Sequence, residues 1–215
     1  MLVIIQARTN SKRFKNKVLK KIYDVPIIGH VVNRVKKSKY VKNVVVATSK
    51  KKFDNKLALY LKNKKINYFR GELFNVAKRL TDAANKNKAN FFIRISGDSP
   101  LIDFRIINKA ITIFKSLKKK PDIVTNLFPR SYPMGQSVEL IRTSVLKNNY
   151  KFFSKSEKEH VTTFFYNNSK KFIIKNFKLN QKKIFIKLAI DEKKDLSKLL
   201  KKYDKKKFEK FKIVK

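Results

Sequence analysis

Short apolar runs alternating with amphipathic stretches of 10–15 residues constrain this chain more than any other feature of it. Leu2 to Ala7 reads as a first buried strand. Pro26 opens a helix whose Ile27, Ile28, Val31, Val32 and Val35 form one stripe. Val44 to Thr48 is a second strand, and Lys52 to Lys64 a helix carried by Leu57, Leu59, Tyr60 and Leu61. Tyr68-Phe69 makes a short third strand, and Leu73 to Asn85 a third helix. Asn90 to Ile93 is a central strand. A helix faced by Ile106, Ile107, Ala110, Ile111, Phe114 and Leu117 starts from Asp103, and Asp122 to Thr125 is the next strand. This order means βαβ crossovers, a mostly parallel sheet with helices on both sides, and ligands beyond the carboxyl ends of the strands.

The second half is less regular. Leu127 to Gln136 contains Pro129, Pro133 and Gly135 and reads as a long loop, and Ser137 to Ile141 alternates like a strand. A helix is expected over Ser156 to Asn167, and strands over Phe172 to Ile174 and Ile184 to Ile190. Helices over Lys194 to Tyr203 and Lys206 to Phe211 close the chain. No repeat or Pro/Gly-rich linker divides the 215 residues, so one domain is expected over 1–215. Within it, a regular strand–helix part is expected over residues 1–126, a less regular part over 127–190, and terminal helices over 191–215.

Charge raises the question of nucleic acid, because the formal net charge is +40. The excess is lysine, 46 against 9 arginines, spread from Lys12 to Lys215 rather than gathered on one element. A groove reader concentrates charge and favours arginine for bidentate contacts. No specific nucleic acid is therefore expected. In so lysine-rich and glycine-poor a chain, the few arginines and glycines mark positions where geometry resists replacement: Arg8, Arg13, Arg70, Arg79, Arg94, Gly71, Gly97 and Gly135. The absence of cysteine excludes a disulfide framework and a thiolate zinc site. Met1 to Ile5 is too short for a signal-peptide core, and no run approaches the ~20 apolar residues of a membrane span. The expected compartment is the cytosol.

Two stretches carry the chemistry. Arg94-Ile95-Ser96-Gly97-Asp98-Ser99-Pro100-Leu101-Ile102-Asp103 ends the central strand, turns at Gly97 and presents Asp98 where a helix begins. A carboxylate there suits a metal ion carrying phosphates, and equally a turn or N-cap. After the first strand, Arg8, Arg13 and Lys17 surround Ser11 in one loop that has neither GxGxxG nor GxxxxGK. Three cations in one loop read as a triphosphate clamp or as a solvated charge run.

Ile4-Ile5-Gln6-Ala7-Arg8 with Ser11, Arg13, Lys17, Val18 and Leu19 resembles the opening signature of the cytidylyltransferases that make CMP-activated sugars. Within these the likeness is to the spore coat polysaccharide biosynthesis branch, related to the acylneuraminate and 3-deoxy-manno-octulosonate enzymes. Val45 to Thr48, Phe69-Arg70-Gly71, Arg79, Arg94 to Asp103, Tyr132-Pro133 with Gly135, Val138-Glu139, Glu159 to Thr162 and Ile190-Asp191 follow in order. The resemblance implies a three-layer α/β/α Rossmann-like nucleotidyltransferase fold, CTP and Mg²⁺, an acidic sugar acceptor and a homodimer. Carried over by position, Ala7, Arg8, Ser11, Arg13, Lys17, Arg70, Gly71, Arg79, Ser96 and Gly97 would bind nucleotide. Arg13, Lys17 and Asp98 would be catalytic, and Asp98 and Asp191 would hold the metal. Tyr132, Gly135, Glu139, Glu159 and His160 would face the acceptor.

Several carried-over roles have a plainer alternative. Asp191, with Glu192, caps the following helix; His160 is a core or capping histidine; Glu139 is solvated; Tyr132 braces Pro133. The chain also departs from the family pattern: Asn10 and Asn16 replace glycine, Lys15 replaces proline, Asp24-Val25 replaces glycine-lysine, and Met134 and Ser137 replace acids. Asparagine adopts the left-handed conformation more readily than other side chains, so those turns should survive. The enzyme reading requires that Asp98 and Asp191 converge opposite the Arg8–Lys17 loop.

Overall fold

The computed structural model describes residues 1–179 and 186–213. Among the described residues nine strands and nine α-helices follow in order: β1 Leu2–Gln6, β2 Lys21–Ile22, β3 Val25–Pro26, α1 Ile27–Lys36, β4 Asn43–Ser49, α2 Asn55–Asn63, β5 Tyr68–Gly71, α3 Val76–Lys86 and β6 Phe91–Ser96. Then come α4 Phe104–Ser116, β7 Ile123–Thr125, β8 Glu139–Arg142, α5 Thr143–Asn149, α6 Lys155–Glu159, α7 Thr163–Asn167, β9 Ile174–Asn176, α8 Lys193–Lys202 and α9 Lys205–Glu209.

Seven strands form one sheet in the order β5-β4-β1-β6-β8-β7-β9. In the described sheet only β8 runs against its neighbours, so the expected α/β fold with a mostly parallel sheet is what the chain forms. Alternation along each strand feeds two cores. Val3, Ile5, Val44, Val46, Ile93 and Ile95 face α1, α2 and α4, where Val31, Val35, Leu57, Leu61, Ile107 and Ile111 meet them. Leu2, Ile4, Val45, Ala47 and Phe92 face the other way, against α3, α5 and α7 through Leu80, Ala84, Leu146 and Phe165. Each such fully buried side chain contributes about 1.5–3 kcal/mol. A third cluster seats the C-terminal helices: Leu199 and Phe208 pack with Ile22, Ile27, Leu101, Leu188 and Ile190. Buried Arg34 clips this segment by donating to the carbonyls of Phe208 and Phe211, the latter at 3.2 Å.

The structure corrects several expected elements. The helix expected over Ser156 to Asn167 is two short ones, broken at His160, whose φ of −96° and ψ of 58° are not helical. There Val161 is drawn fully into the core and the Thr162 hydroxyl donates to Glu139, and together these override helix continuity. Of the strand expected over Ile184 to Ile190, residues 184 and 185 lie outside the described residues. From 186 onward a single bridge joins Met134 and Lys187. Helix α5 escaped the sequence reading because it offers one fully buried apolar residue, Leu146, too few for a periodicity. Asn16 takes the left-handed conformation expected of it, φ 57°.

Candidate active site

Asp98 stands just past the end of β6, beside the end of β1. The Gly97 amide donates to the Gln6 carbonyl at 2.9 Å, and a Cβ on Gly97 would lie 2.8 Å from the Ala7 Cβ. Only glycine lets the two strand ends approach this closely. Ser96 Oγ donates to Asp98 Oδ1 at 2.7 Å, and Lys17 Nζ reaches Asp98 Oδ2 at 2.6 Å. Asp98 is not a helix cap; that role for α4 belongs to Asp103, which accepts from the Arg105 amide at 3.0 Å.

Asp191 meets the same ammonium: Lys17 Nζ lies 3.2 Å from Asp191 Oδ1, with Arg13 at 3.4 Å and Lys187 3.1 Å from Oδ2. Glu192, not Asp191, is the N-cap of α8, in a capping box with Asp195. Burial alone would raise the Asp191 carboxyl, but the charges of Lys17 and Lys187 and their hydrogen bonds outweigh it and hold it below the usual carboxylate range. Asp98 and Asp191 thus converge on the Arg13–Lys17 side of the loop after β1, as the sequence reading required.

A cleft runs along the carboxyl edge of the sheet in two compartments. The larger, about 650 Å³, is lined by Ala7, Arg8, Ser11, Arg13, Lys17, Arg79, Ser96 and Gly97, so eight of the ten residues expected at the nucleotide come together there. The smaller, about 410 Å³, includes Arg130, Gly135, Glu139, Thr162 and Tyr166. Both volumes suit small ligands. Arg94, Ser96, Asp98, His160 and Asp191 line both, which puts the two carboxylates on the boundary.

Four expected site residues lie elsewhere or engage differently. Arg70 does not line the cleft; it donates to the carbonyls of Ser49 and Lys51 and to Asn55 Oδ1, tying edge strand β5 to the loop before α2. Gly71 is also outside the cleft, and a Cβ there would meet Arg79 Cγ at 3.0 Å, so it makes room for that side chain. Tyr132 is 2% exposed and packs edge-on against Phe177 at 5.8 Å, inside the core. Glu159 faces the larger compartment, where the end of α6 carries it into an ion pair with Arg8.

Glu139 is buried rather than solvated. It pairs with Arg94 and accepts from Thr162 Oγ1 and from Tyr166 OH at 2.8 Å, while Arg94 Nε also donates to Gln6 Oε1 at 2.8 Å. Burial next to Glu139 pushes the Tyr166 phenol well above its ordinary value. Arg79 is 2% exposed and donates to the Glu72 and Leu73 carbonyls, and burial lowers its pKa to about 10. Its Nε has no hydrogen-bond partner among the described residues. Sequence reasoning missed Tyr166, Arg130, Lys187 and the exposed Phe74 at the rim of the larger compartment. Of these, only Arg130 carried a usable signal, as one of nine arginines.

For a divalent cation the boundary offers two carboxylates and, among the described residues, no third acidic or histidine ligand completes a cluster. Mg²⁺ keeps several waters and is held by one or two carboxylates together with phosphates. Two hard oxygen donors beside Arg13 and Lys17 fit that requirement.

Fold and cleft together define an α/β protein whose ligand cleft follows the carboxyl edge of its sheet, with cations along one compartment and two carboxylates at the divide. The chain belongs to the cytidylyltransferase family, whose sequence model matches residues 2–213. It is similar to an uncharacterized protein of Methanocaldococcus jannaschii, 36% identical over 76% of this chain and 65% of that protein. It is also similar to the spore coat polysaccharide biosynthesis protein SpsF of Bacillus subtilis, 26% identical over 76% of this chain and 69% of that one. The matched stretch thus spans about two thirds of these relatives' length. A cytidylyltransferase structure from Leptospira borgpetersenii superposes with a TM-score of 0.88 at 28% identity, covering 95% of this chain and 88% of that one.

Proposed function

We propose that this protein transfers CMP from CTP to an acidic sugar, an ulosonic or nonulosonic acid or a similar compound, and releases pyrophosphate for surface polysaccharide synthesis. The observation that carries the reading is the sharing of one ammonium, Lys17 Nζ, by Asp98 and Asp191 at the boundary of the two compartments. On this reading the triphosphate lies in the larger compartment along Arg8, Arg13 and Lys17, and the acceptor lies in the smaller one. The acceptor oxygen attacks the α-phosphorus in line with the bond to the bridging oxygen. Negative charge grows on that oxygen as pyrophosphate leaves, and on this reading Arg13 and Lys17 meet it. Asp98 and Asp191 would hold Mg²⁺, which neutralises the α-phosphate and makes the acceptor hydroxyl more acidic. Ser96 orients Asp98 through its 2.7 Å hydrogen bond, and Lys187 orients Asp191.

The reading carries two further expectations: a homodimer, checked by sedimentation, and a cytosolic reaction. No helix among the described residues is long and apolar enough to cross a membrane. The deciding experiment measures pyrophosphate release from CTP, UTP, GTP and ATP against a panel of acidic and neutral sugars. Release that requires CTP and an acidic acceptor supports the proposal. Preference for another nucleotide overturns the CTP half, and consumption of a nucleotide sugar without pyrophosphate overturns the reaction class.

A further inference from the structure

Nine arginines stand in this chain, and all but one are engaged. Arg8, Arg13, Arg94, Arg105 and Arg142 pair with carboxylates. Arg34, Arg70 and Arg79 donate to main-chain carbonyls. Among the described residues Arg130 has one neutral partner, the Ser137 hydroxyl at 3.3 Å, and it lines the smaller compartment. Glu139, which lines the same compartment, is engaged elsewhere: its oxygens accept from Arg94, Thr162 and Tyr166.

We infer that the Arg130 guanidinium is the receptor for the acceptor's carboxylate and the residue that selects acidic over neutral acceptors. A planar fork of N–H donors matches a carboxylate bidentately, which neither a lysine nor an amide reproduces. The loop that carries it is anchored on both sides. The Asn126 amide donates to the Gln136 carbonyl at 2.8 Å, and Asn176 Nδ2 donates to the Pro129 carbonyl at 3.1 Å. The backbone that carries Arg130 is thus held in place, while its side chain is exposed at the cleft. Partial burial lowers its pKa, against the smaller opposing effect of Glu139, while the side chain keeps access to solvent. The inference rests on the CMP-transfer reading for the identity of the ligand as acceptor, while the anion site itself rests only on the geometry.

The test uses 3-deoxy-manno-octulosonic acid and its methyl ester as probes, with calorimetric binding to the nucleotide-free protein and pyrophosphate release with CTP measured in parallel. The wild type should bind the acid about 10- to 100-fold more tightly than the ester, the worth of a charge-assisted pair. Arg130→Gln should remove that preference and raise the acceptor KM by a similar factor while leaving the CTP KM within twofold. Arg130→Lys should restore part of it. An unchanged melting temperature of Arg130→Gln separates lost recognition from lost folding. If the variant keeps the preference for the acid while CTP turnover proceeds, or if the wild type shows none, the inference fails and the CMP-transfer reading stands on its own. If the preference depends on Arg130 but no nucleotide releases pyrophosphate, the anion site holds and the reaction reading falls.

Discussion

The amide of Ile190 donates to the carbonyl of Asp98 at 2.9 Å. This main-chain bond joins the end of the central strand to the segment before α8, and it sets the next residue, Asp191, beside Asp98. Gly135 tightens the same joint: its φ is +96°, and a Cβ there would lie 2.6 Å from the Ala189 nitrogen. The convergence of the two acids is therefore built into the backbone and does not depend on their side-chain rotamers.

Replacing either acid should abolish turnover without unfolding the protein. Asp98→Asn keeps the size and the acceptor for Ser96 but removes the charge. It should lower kcat by on the order of 10²–10³, the cost of losing a main electrostatic stabiliser at a phosphoryl centre. Pyrophosphate release and thermal melting, measured together, check this. Wild-type turnover in the variant would remove Asp98 from the reaction.

Lys17 couples the two acids, so its effects should not add to theirs. Lys17→Met leaves two partly buried carboxylates without their shared cation, and a loss of about 1–3 kcal/mol in urea unfolding is expected. Combined with Asp98→Asn, the double variant should be more stable than the sum of the single changes predicts, with a coupling of 0.5–3 kcal/mol in magnitude, the range seen for residues in one network. Additive losses would mean that the triad of Lys17, Asp98 and Asp191 is not one unit.

Glu139 is 1% exposed and anchors Arg94, Thr162 and Tyr166 at the floor of the cleft. Glu139→Ala leaves the partly buried Arg94 charge with Gln6 as its remaining partner among the described residues. It should cost about 3–5 kcal/mol of stability, as for other broken buried pairs. Glu139→Gln, which still accepts from Thr162, should cost less. Chemical denaturation of the two variants ranks them, and equal losses would contradict the charge argument.

Two helix caps should shape the acid limb of stability. The Ser154 amide, and secondarily its hydroxyl, hold Glu157 below its usual value, and the Lys207 amide does the same for Asp204. A carboxyl depressed in the folded state contributes stability that is present above its unfolded pKa and is lost as pH falls through the folded one. Glu157→Gln and Asp204→Ala should therefore melt below wild type at pH 7, and the difference should shrink as the pH falls below about 4. A constant difference from pH 7 to pH 3 would show that the caps act through packing instead.

The alternation of apolar runs and amphipathic stretches was sufficient for the sheet, because each strand's faces are filled by neighbouring helices and period alone reports that burial. The loop cations and Asp98 were legible for a related reason: the carboxyl end of a central strand is where such a sheet leaves room for a ligand. The break at His160 was not legible, since the stretch reads as continuous helix and the demand that interrupts it, a hydroxyl for Glu139, comes from another strand. Arg70 shows the opposite failure. Its position beside Gly71 in a family signature suggested the nucleotide, whereas three hydrogen bonds assign it to the sheet edge.

What the sequence by itself determined is which segments bury apolar surface, hence the α/β order, and which residues could carry charge chemistry. Only tertiary structure decided which charges meet. Asp98 and Asp191 lie far apart along the chain and are brought together by the Ile190–Asp98 main-chain bond, and Lys17 meets both from the loop after β1; no local pattern encodes this. Pairing among charges is a property of three-dimensional distance, and that same distance left Arg130 facing the cleft without an acid of its own.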